Sequence, residues 1–493
     1  MKDLKERTIR GGVTRLGAQA ANFVLRVGSL LVLARLLEPK DFGLVGMVTA
    51  FTGVLGLFRD FGLSSASVQR GNVTEEQVAT LFWVNMLVGA LLALVTVAAA
   101  PALAAFYREP RLFAVTAVLG AGFIFNAAGV QHGVRLQREL RFIALAVIDT
   151  VSLLVGSLIA VGSAAAGHGY WALVSMTITV PLISTIGCWL ATAWVPGRPR
   201  RGIGIVSMMR FGGTVTLNSL VMYAATNFDK VLLGRFWGAD ALGIYGRAYQ
   251  LISIPTENLN AAAGEVAFPV LSRLQHDPAR FKSYFLKGYS LLLALTVPAT
   301  IACGVFADDL ILVFLGQKWT SVAVIFRLLA PTMLVFAILN PLGWLLTSLG
   351  RVERGLKIAL VIAPLMIAAY VIGLPRGPIG VAFACSVAMA LWALPVIAWA
   401  VRDTGISLRD VLLVAIRPLT ASGVAALVAL GVQSVDGQLS PWVRLVAEGT
   451  VFVVIFGGII LFVMGQKSLY LDVLRASTSS AKGTVASPIE SVT

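Results

Sequence analysis

The 493-residue chain is 58% hydrophobic and 13% charged, with a mean hydropathy of +0.86. That balance excludes a soluble globule, which needs far more polar surface. The net charge of +15 does not mark a nucleic-acid partner, because the basic residues are dispersed through short loops, as the positive-inside bias produces.

Apolar runs long enough to cross a bilayer as helices recur along the chain. They predict helices over 13–36, 42–62, 78–105, 112–131, 142–165 and 169–194. A Pro-, Gly- and Arg-rich break, PGRPRRGIG, follows. Six more helices are predicted at 211–236, 240–272, 288–315, 322–349, 356–374 and 378–401, and two at 410–431 and 443–465. The expected fold is an all-α polytopic membrane protein of about 14 transmembrane helices. Its expected parts are an N-terminal six-helix lobe (1–195), a basic cytoplasmic linker (196–210), a C-terminal six-helix lobe (211–401), two extra helices (402–465) and a polar, disordered tail (466–493). With both termini in the cytoplasm, 26 Lys/Arg fall on cytoplasmic segments, 8 on the opposite loops and 5 within helices. The basic opening MKDLKERTIRGG reads as a cytoplasmic leader into the first helix, since no cleavage pattern follows.

LARLLEPKDFGLVGMVTAF near residue 33 repeats as LGRFWGADALGIYGRAYQL near residue 233. Leu33/Leu233, Arg35/Arg235, Gly43/Gly243 and Gly46/Gly246 match at a constant offset of 200. Each half then supplies a helix start, Thr74 with Gln77 at capping-box spacing and Asp277 followed by Pro278. Six helices per half give both copies the same orientation, a parallel-repeat transporter architecture with the site expected between the halves.

The chain carries no nucleotide-cradling glycine loop, HExxH or Ser-centred elbow. His132, His168 and His276 are scattered, and Cys188, Cys303 and Cys385 lie in apolar stretches as packing residues. No large outer loop is available to hold an acceptor, so an enzyme is not expected, nor any metal or cofactor.

Polar residues inside the helices are the remaining signal, because in lipid they face the protein interior or a watery cavity. Arg26, one turn after Asn22, is either a structural donor to backbone carbonyls or a cation for an anionic substrate; guanidinium pairs with phosphate in bidentate fashion. The seventh helix carries Asn218, Asn227, Asp229 and Lys230. Lys230 either snorkels to the surface or lines a cavity. Asp229 and Lys230 point about 100° apart, so Asp229 is expected to pair with Arg26, or else with Arg247. In the eighth helix, Pro255, Gly264 and Pro269 form either a flexing element or a static kink. Glu257 and Glu265 are coupling candidates, with pairing to arginines such as Arg273 as the alternative. Asn85, Asn126, Asp149, Asn340 and Arg327 are lesser candidates.

NFDKVLLGRFWGADALGIYGRAYQL, followed by Pro255 and FPVLSRL at 268–274, resembles the second half of Wzx-type polysaccharide flippases of the multidrug/oligosaccharidyl-lipid/polysaccharide exporter superfamily. ARLLEPKDFGLVGM at 34–47 and FRDFGLSSASVQR at 58–70 resemble the first half. The resemblance implies two six-helix lobes around a central cavity in a bacterial cytoplasmic (inner) membrane. It also implies an undecaprenyl-diphosphate-linked oligosaccharide as substrate, moved by alternating access. Basic residues on the first and seventh helices, here Arg26 and Lys230, would meet the diphosphate, with Asn22, Asn227 and Arg247 beside them. Asp229, Glu257, Pro255 and Glu265 would serve coupling or gating, with H⁺ or Na⁺ coupling left open. Implied partners are the lipid-linked oligosaccharide, membrane lipids and other polysaccharide assembly proteins. The rival readings are a multidrug or cation antiporter of the same superfamily, and a polysaccharide polymerase or ligase.

Overall fold

The computed structural model describes residues 2–59, 74–199, 206–433 and 440–465. The tail expected to be disordered, Arg70 and most of the 58–70 motif, residues 200–205 of the linker and the side chain of Asn218 lie outside the described residues.

Among the described residues the chain is helical and without strands. The helices are α1 (Lys2–Leu36), α2 (Pro39–Gly56), α3 (Glu75–Tyr107), α4 (Leu112–Arg138), α5 (Phe142–Ala165) and α6 (Trp171–Thr192). The run Val206–Arg273 is broken by non-helical backbone at Gly238 (φ 80°, ψ −174°), which makes it two helices, α7 over 206–237 and α8 over 239–273. Then come α9 (Pro278–Val305), α10 (Ala307–Phe314), α11 (Thr320–Ser348), α12 (Val352–Gly373), α13 (Gly377–Val401), α14 (Leu408–Gln433) and α15 (Pro441–Gly458). Nine segments among them, including the α12–α13 stretch Val352–Val401, are long and apolar enough to cross a membrane. The predicted helix starts hold. Thr74 Oγ1 accepts the Gln77 amide at 3.3 Å while the Thr74 amide donates to Gln77 Oε1 at 3.0 Å, and Asp277 Oδ1 accepts the Arg280 amide at 3.1 Å beside Pro278. These bonds satisfy amides that the first helical turn leaves orphaned.

The chain divides into two compact units. The first comprises Met1–Ala248, Phe314–Ile325 and Ala363–Ala384; the second comprises Tyr249–Val313, Phe326–Ile362 and Cys385–Thr493. Within the first unit, α3 packs on α4, α4 and α5 both pack on α6, and α1 packs on α5. Small residues let these backbones approach, as helix association in lipid requires. A Cβ on Gly89 of α3 would sit 2.5 Å from Ala127 Cβ of α4.

The two copies of the sequence repeat approach each other closely. A Cβ on Gly43 would lie 1.7 Å from the Ala239 carbonyl oxygen, and one on Gly243 would lie 1.8 Å from that of Pro39. The contact is reciprocal at the offset of 200: each glycine seats on the residue four before its counterpart. Leu33 and Leu233 are both buried. Trp319 closes over this region, its Nε1 donating to Ala34 O at 2.7 Å and its ring meeting Phe42 edge-on at 5.4 Å.

In the second unit, α14 packs on α9 and α15, and a bidentate ion pair between the buried Asp309 and the half-buried Arg444 ties α15 to α10. Arg444 Nε donates to Asp309 Oδ2 at 2.8 Å and its Nη2 to Oδ1. Nearby, Arg327 donates to both carboxylate oxygens of Asp308.

Two stability outcomes follow from these contacts. Gly43→Ala and Gly243→Ala should each lower the thermal midpoint of the detergent-solubilised protein, since overpacking costs about 1–3 kcal/mol or more. Gly28→Ala, with no atom within 4 Å of its added Cβ, should leave the midpoint unchanged; equal midpoints for all three would refute the packing. Arg444→Met should destabilise by about 3–5 kcal/mol by stranding the buried Asp309 carboxylate, with recovery in Arg444→Met/Asp309→Leu. Chemical-denaturation curves of the three proteins check this, and a double variant no better than the single one would contradict it.

Candidate functional site

The seventh-helix polar cluster is held within the first unit. Asp229 is 1% exposed. Its Oδ2 accepts the Tyr245 hydroxyl at 2.8 Å, and its Oδ1 accepts the Lys230 backbone amide at 2.8 Å. The expected ion pair of Asp229 with Arg26, or with Arg247, does not form. A neutral phenol from the next helix supplies the hydrogen bond instead, which avoids burying a second full charge. Lys230 turns its ammonium back along its own helix, where Nζ donates to Asn227 Oδ1 at 2.7 Å. The Asn227 amide is oriented for this by donating to Tyr223 O at 3.0 Å. Asn227 and Lys230, three apart, are therefore one unit, as helical spacing allows.

Arg247 lies with its Cζ 4.1 Å from the centroid of the Phe42 ring, a cation–π geometry. Phe42 belongs to the glycine contact described above, so Arg247 is anchored to the repeat junction.

On α1, Arg26 is exposed, and Asn22 Oδ1 one turn earlier is buried without a hydrogen-bond partner. The two share a face, as expected, and the asparagine oxygen is open to a donor. On α8, Glu257 and Glu265 are exposed and Pro255 is half-buried. Glu265 makes no ion pair with Arg273. The helix runs unbroken through Pro255, Gly264 and Pro269, and the backbone departs from helix at Gly238 instead. Gly264 packs against Trp344: a Cβ there would lie 2.8 Å from the indole Nε1.

A cavity of about 250 Å³ opens between α2, α4 and α6, lined by Thr49, Thr52, Arg59, Phe123, Asn126 and Thr177 among others. Arg59 Nη1 donates to Asn126 Oδ1 at 3.1 Å, and Asn126 Nδ2 donates to Gly122 O at 2.8 Å. Gly53 admits Tyr223 to its edge, since a Cβ would meet the phenol oxygen at 1.9 Å. Asn126 stood among the lesser sequence candidates, and Arg59 was missed. The signal available was an arginine at the end of an apolar helix inside the FRDFG motif. Arg26 and Lys230 are not among the lining residues of this cavity. Among the described residues no group of three or more His, Cys, Asp or Glu is placed to hold a metal ion.

Residues 32–324 match the family described as polysaccharide biosynthesis protein. The chain belongs to that family. It is 27% identical over 378 residues to the lipopolysaccharide biosynthesis protein WzxC of Escherichia coli K12, covering 75% of this chain and 76% of the relative. It is 28% identical over 307 residues to the teichuronic acid biosynthesis protein TuaB of Bacillus subtilis, covering 60% and 61% of the two chains. Among solved structures, the lipid II flippase MurJ in an inward closed conformation matches with a TM-score of 0.73 and 14% identity, over 92% of this chain and 100% of that one. At that identity the likeness establishes the fold alone: this is a multi-pass helical membrane protein with a MurJ-like architecture.

The Asp229–Tyr245 bond makes a direct prediction. Tyr245→Phe keeps the packing and removes one donor to a buried carboxylate, so stability should fall by about 1.5–3 kcal/mol. Asp229→Asn should tolerate Tyr245→Phe better than the wild type does. A double-mutant cycle on thermal or denaturant unfolding measures the coupling, and strict additivity would refute it.

Proposed function

We propose that this protein is a flippase that moves polyprenyl-diphosphate-linked oligosaccharide repeat units across the cytoplasmic membrane, with both termini in the cytoplasm. A diphosphate and a glycan cross hydrocarbon at a negligible rate, because transfer strips them of hydration and leaves charge and hydroxyls unpaired. A carrier must offer polar groups within the membrane while the lipid tail stays in the bilayer. The observation that carries this reading is the cavity between α2, α4 and α6, where a guanidinium, three threonine hydroxyls and one side-chain amide converge among apolar helices. Arg59 supplies five N–H donors in a fork suited to phosphate oxygens, and Asn126 takes one of them. The Thr49 and Thr177 hydroxyls donate to backbone carbonyls of their own helices, Gly46 O at 3.1 Å and Leu173 O at 2.8 Å. Their oxygens are left as acceptors for sugar hydroxyls.

Arg26 and Lys230 serve as further cations for the diphosphate as it passes, and the site is released by alternating access. The membership of the polysaccharide biosynthesis family and the names of the relatives support an oligosaccharide cargo. The exporter fold supports translocation over bond making. A multidrug antiporter would be expected to gather acidic groups around an organic cation, whereas Arg59 supplies a cation to this cavity.

Proteoliposomes loaded with a fluorescent lipid-linked oligosaccharide test the proposal. Wild-type protein should accelerate translocation. Arg59→Ala and Arg26→Ala should each lower the rate at least about tenfold at equal protein content, as expected for loss of a charge-assisted hydrogen bond. Normal rates in both variants would defeat the anchor assignment. Transport of cationic dyes without the lipid-linked sugar, or lengthening of the glycan, would replace the proposal with one of its rivals.

A further inference from the structure

A second polar pocket, of about 290 Å³, lies between the start of α3 and the end of α4, lined by Glu75, Val78, Gln131, Arg135, Arg138 and Glu139 among others. It is separate from the Arg59 cavity and shares none of its lining residues. Glu75 is the first residue of α3 and Arg138 the last of α4. Both helices are membrane-spanning candidates, so the pocket sits at the level where spans meet the lipid headgroups.

Its charges are balanced. Among the lining residues Arg135 contacts Glu75 at 3.2 Å and Glu139 at 2.9 Å, and Arg141, outside the lining, lies 3.8 Å from Glu139. Arg138 is exposed and makes no hydrogen bond or ion pair with any described residue. Gln131 is 1% exposed, and neither its amide nitrogen nor its oxygen has a hydrogen-bond partner. A buried primary amide left open on both atoms is costly in a membrane protein unless a ligand or water completes it. Further along α3, Trp83 is 45% exposed, followed by Leu87 and Leu91, which are 72% and 57% exposed. At spacings of four these form an apolar lane down α3 from an interfacial tryptophan.

We propose that this pocket binds the headgroup of a zwitterionic ammonium phospholipid. The phosphate takes the Arg138 guanidinium and the Gln131 N–H donors. The ammonium takes the carboxylates of Glu75 and Glu139, which retain lone pairs beyond those engaged by Arg135 and Arg141. The acyl chains run along the Trp83–Leu87–Leu91 lane. Two cations and two anions around one pocket favour a neutral zwitterion over an anionic headgroup, which would leave the carboxylates facing like charge. The site also abuts the segment after α6, since Trp83 Nε1 donates to Gly197 O at 2.8 Å and Arg135 Cζ lies 5.7 Å from the Trp194 ring centroid. A lipid here braces the path into the linker between the repeats.

Native mass spectrometry of the full-length protein in detergent tests this, with phosphatidylethanolamine and phosphatidylglycerol of matched acyl chains as probes. One phosphatidylethanolamine should be retained under conditions that strip phosphatidylglycerol. Arg138→Gln and Gln131→Leu should each reduce its occupancy about tenfold, the scale of one charge-assisted hydrogen bond, with thermal midpoints monitored to exclude misfolding. Arg198→Gln, outside the pocket, should bind as wild type does. Free glycerophosphoethanolamine should compete, because the headgroup is what is recognised. Equal retention of the two lipids, wild-type occupancy in both pocket variants, no competition by the free headgroup, or displacement of the lipid by a soluble oligosaccharide would each overturn the assignment.

Discussion

Two backbone carbonyls occupy the space where side chains would begin on Gly43 and Gly243. In lipid there is little hydrophobic force to press helices together, so association depends on van der Waals fit and on polar contacts made at short range. A reciprocal glycine contact supplies that fit twice, at equivalent positions of two related segments. Much of the first unit is organised around it. Phe42, next to Gly43, carries Arg247 on its face and Trp319 on its edge. Tyr245, two residues after Gly243, reaches Asp229. Moving these backbones apart would disturb an apolar contact and a buried polar one together.

The buried polar groups fall into two kinds. Asp309 and Asp229 are almost wholly enclosed, and each is met by a donor of suitable strength. Asp309 has the guanidinium of Arg444, and Asp229 has a phenol and a backbone amide. Removing a partner from either strands a group that cannot regain water, so these contacts help to hold the fold. Arg26 and Arg59 differ: one is exposed on α1 and the other borders a cavity with a neutral amide for a partner. A charge that is not cancelled locally is the kind a substrate can use.

The helices and their beginnings were legible in the sequence because apolar length and capping chemistry are local. Thr74 with Gln77, and Asp277 with Pro278, act within one turn, and no tertiary information is needed to read them. The repeat was legible as an offset of 200 between glycines, although its meaning, a mutual backbone seat, required the structure. The partner of Asp229 was not legible. Helical periodicity tells which residues share a face but not which helix lies opposite, and a tyrosine in an apolar run reads as packing, not as a donor. The break at Gly238 was legible, since it falls in the gap between the helices expected over 211–236 and 240–272. Prolines draw attention within α8, yet a helix in a membrane keeps its course past a proline when neighbours satisfy the freed carbonyl, whereas a positive φ at glycine ends it outright. Arg59 was passed over because it sits at a helix end, where basic residues are ordinary.

Electrostatic compensation separates the arginines that stabilise from those that can recognise. Arg327 and Arg444 are each matched to a carboxylate, and a guanidinium so matched presents almost no net field to a passing phosphate. Arg59 donates to Asn126, which orients the side chain through its own bond to Gly122 without cancelling the charge. An amide partner gives the rigidity of a hydrogen bond and preserves the electrostatic attraction. A carrier needs both, because a cation that is free to wander loses entropy on capture, and one already neutralised gains little from it. In the proposed anion site the asparagine at position 126 is thus as much a part as the arginine it holds.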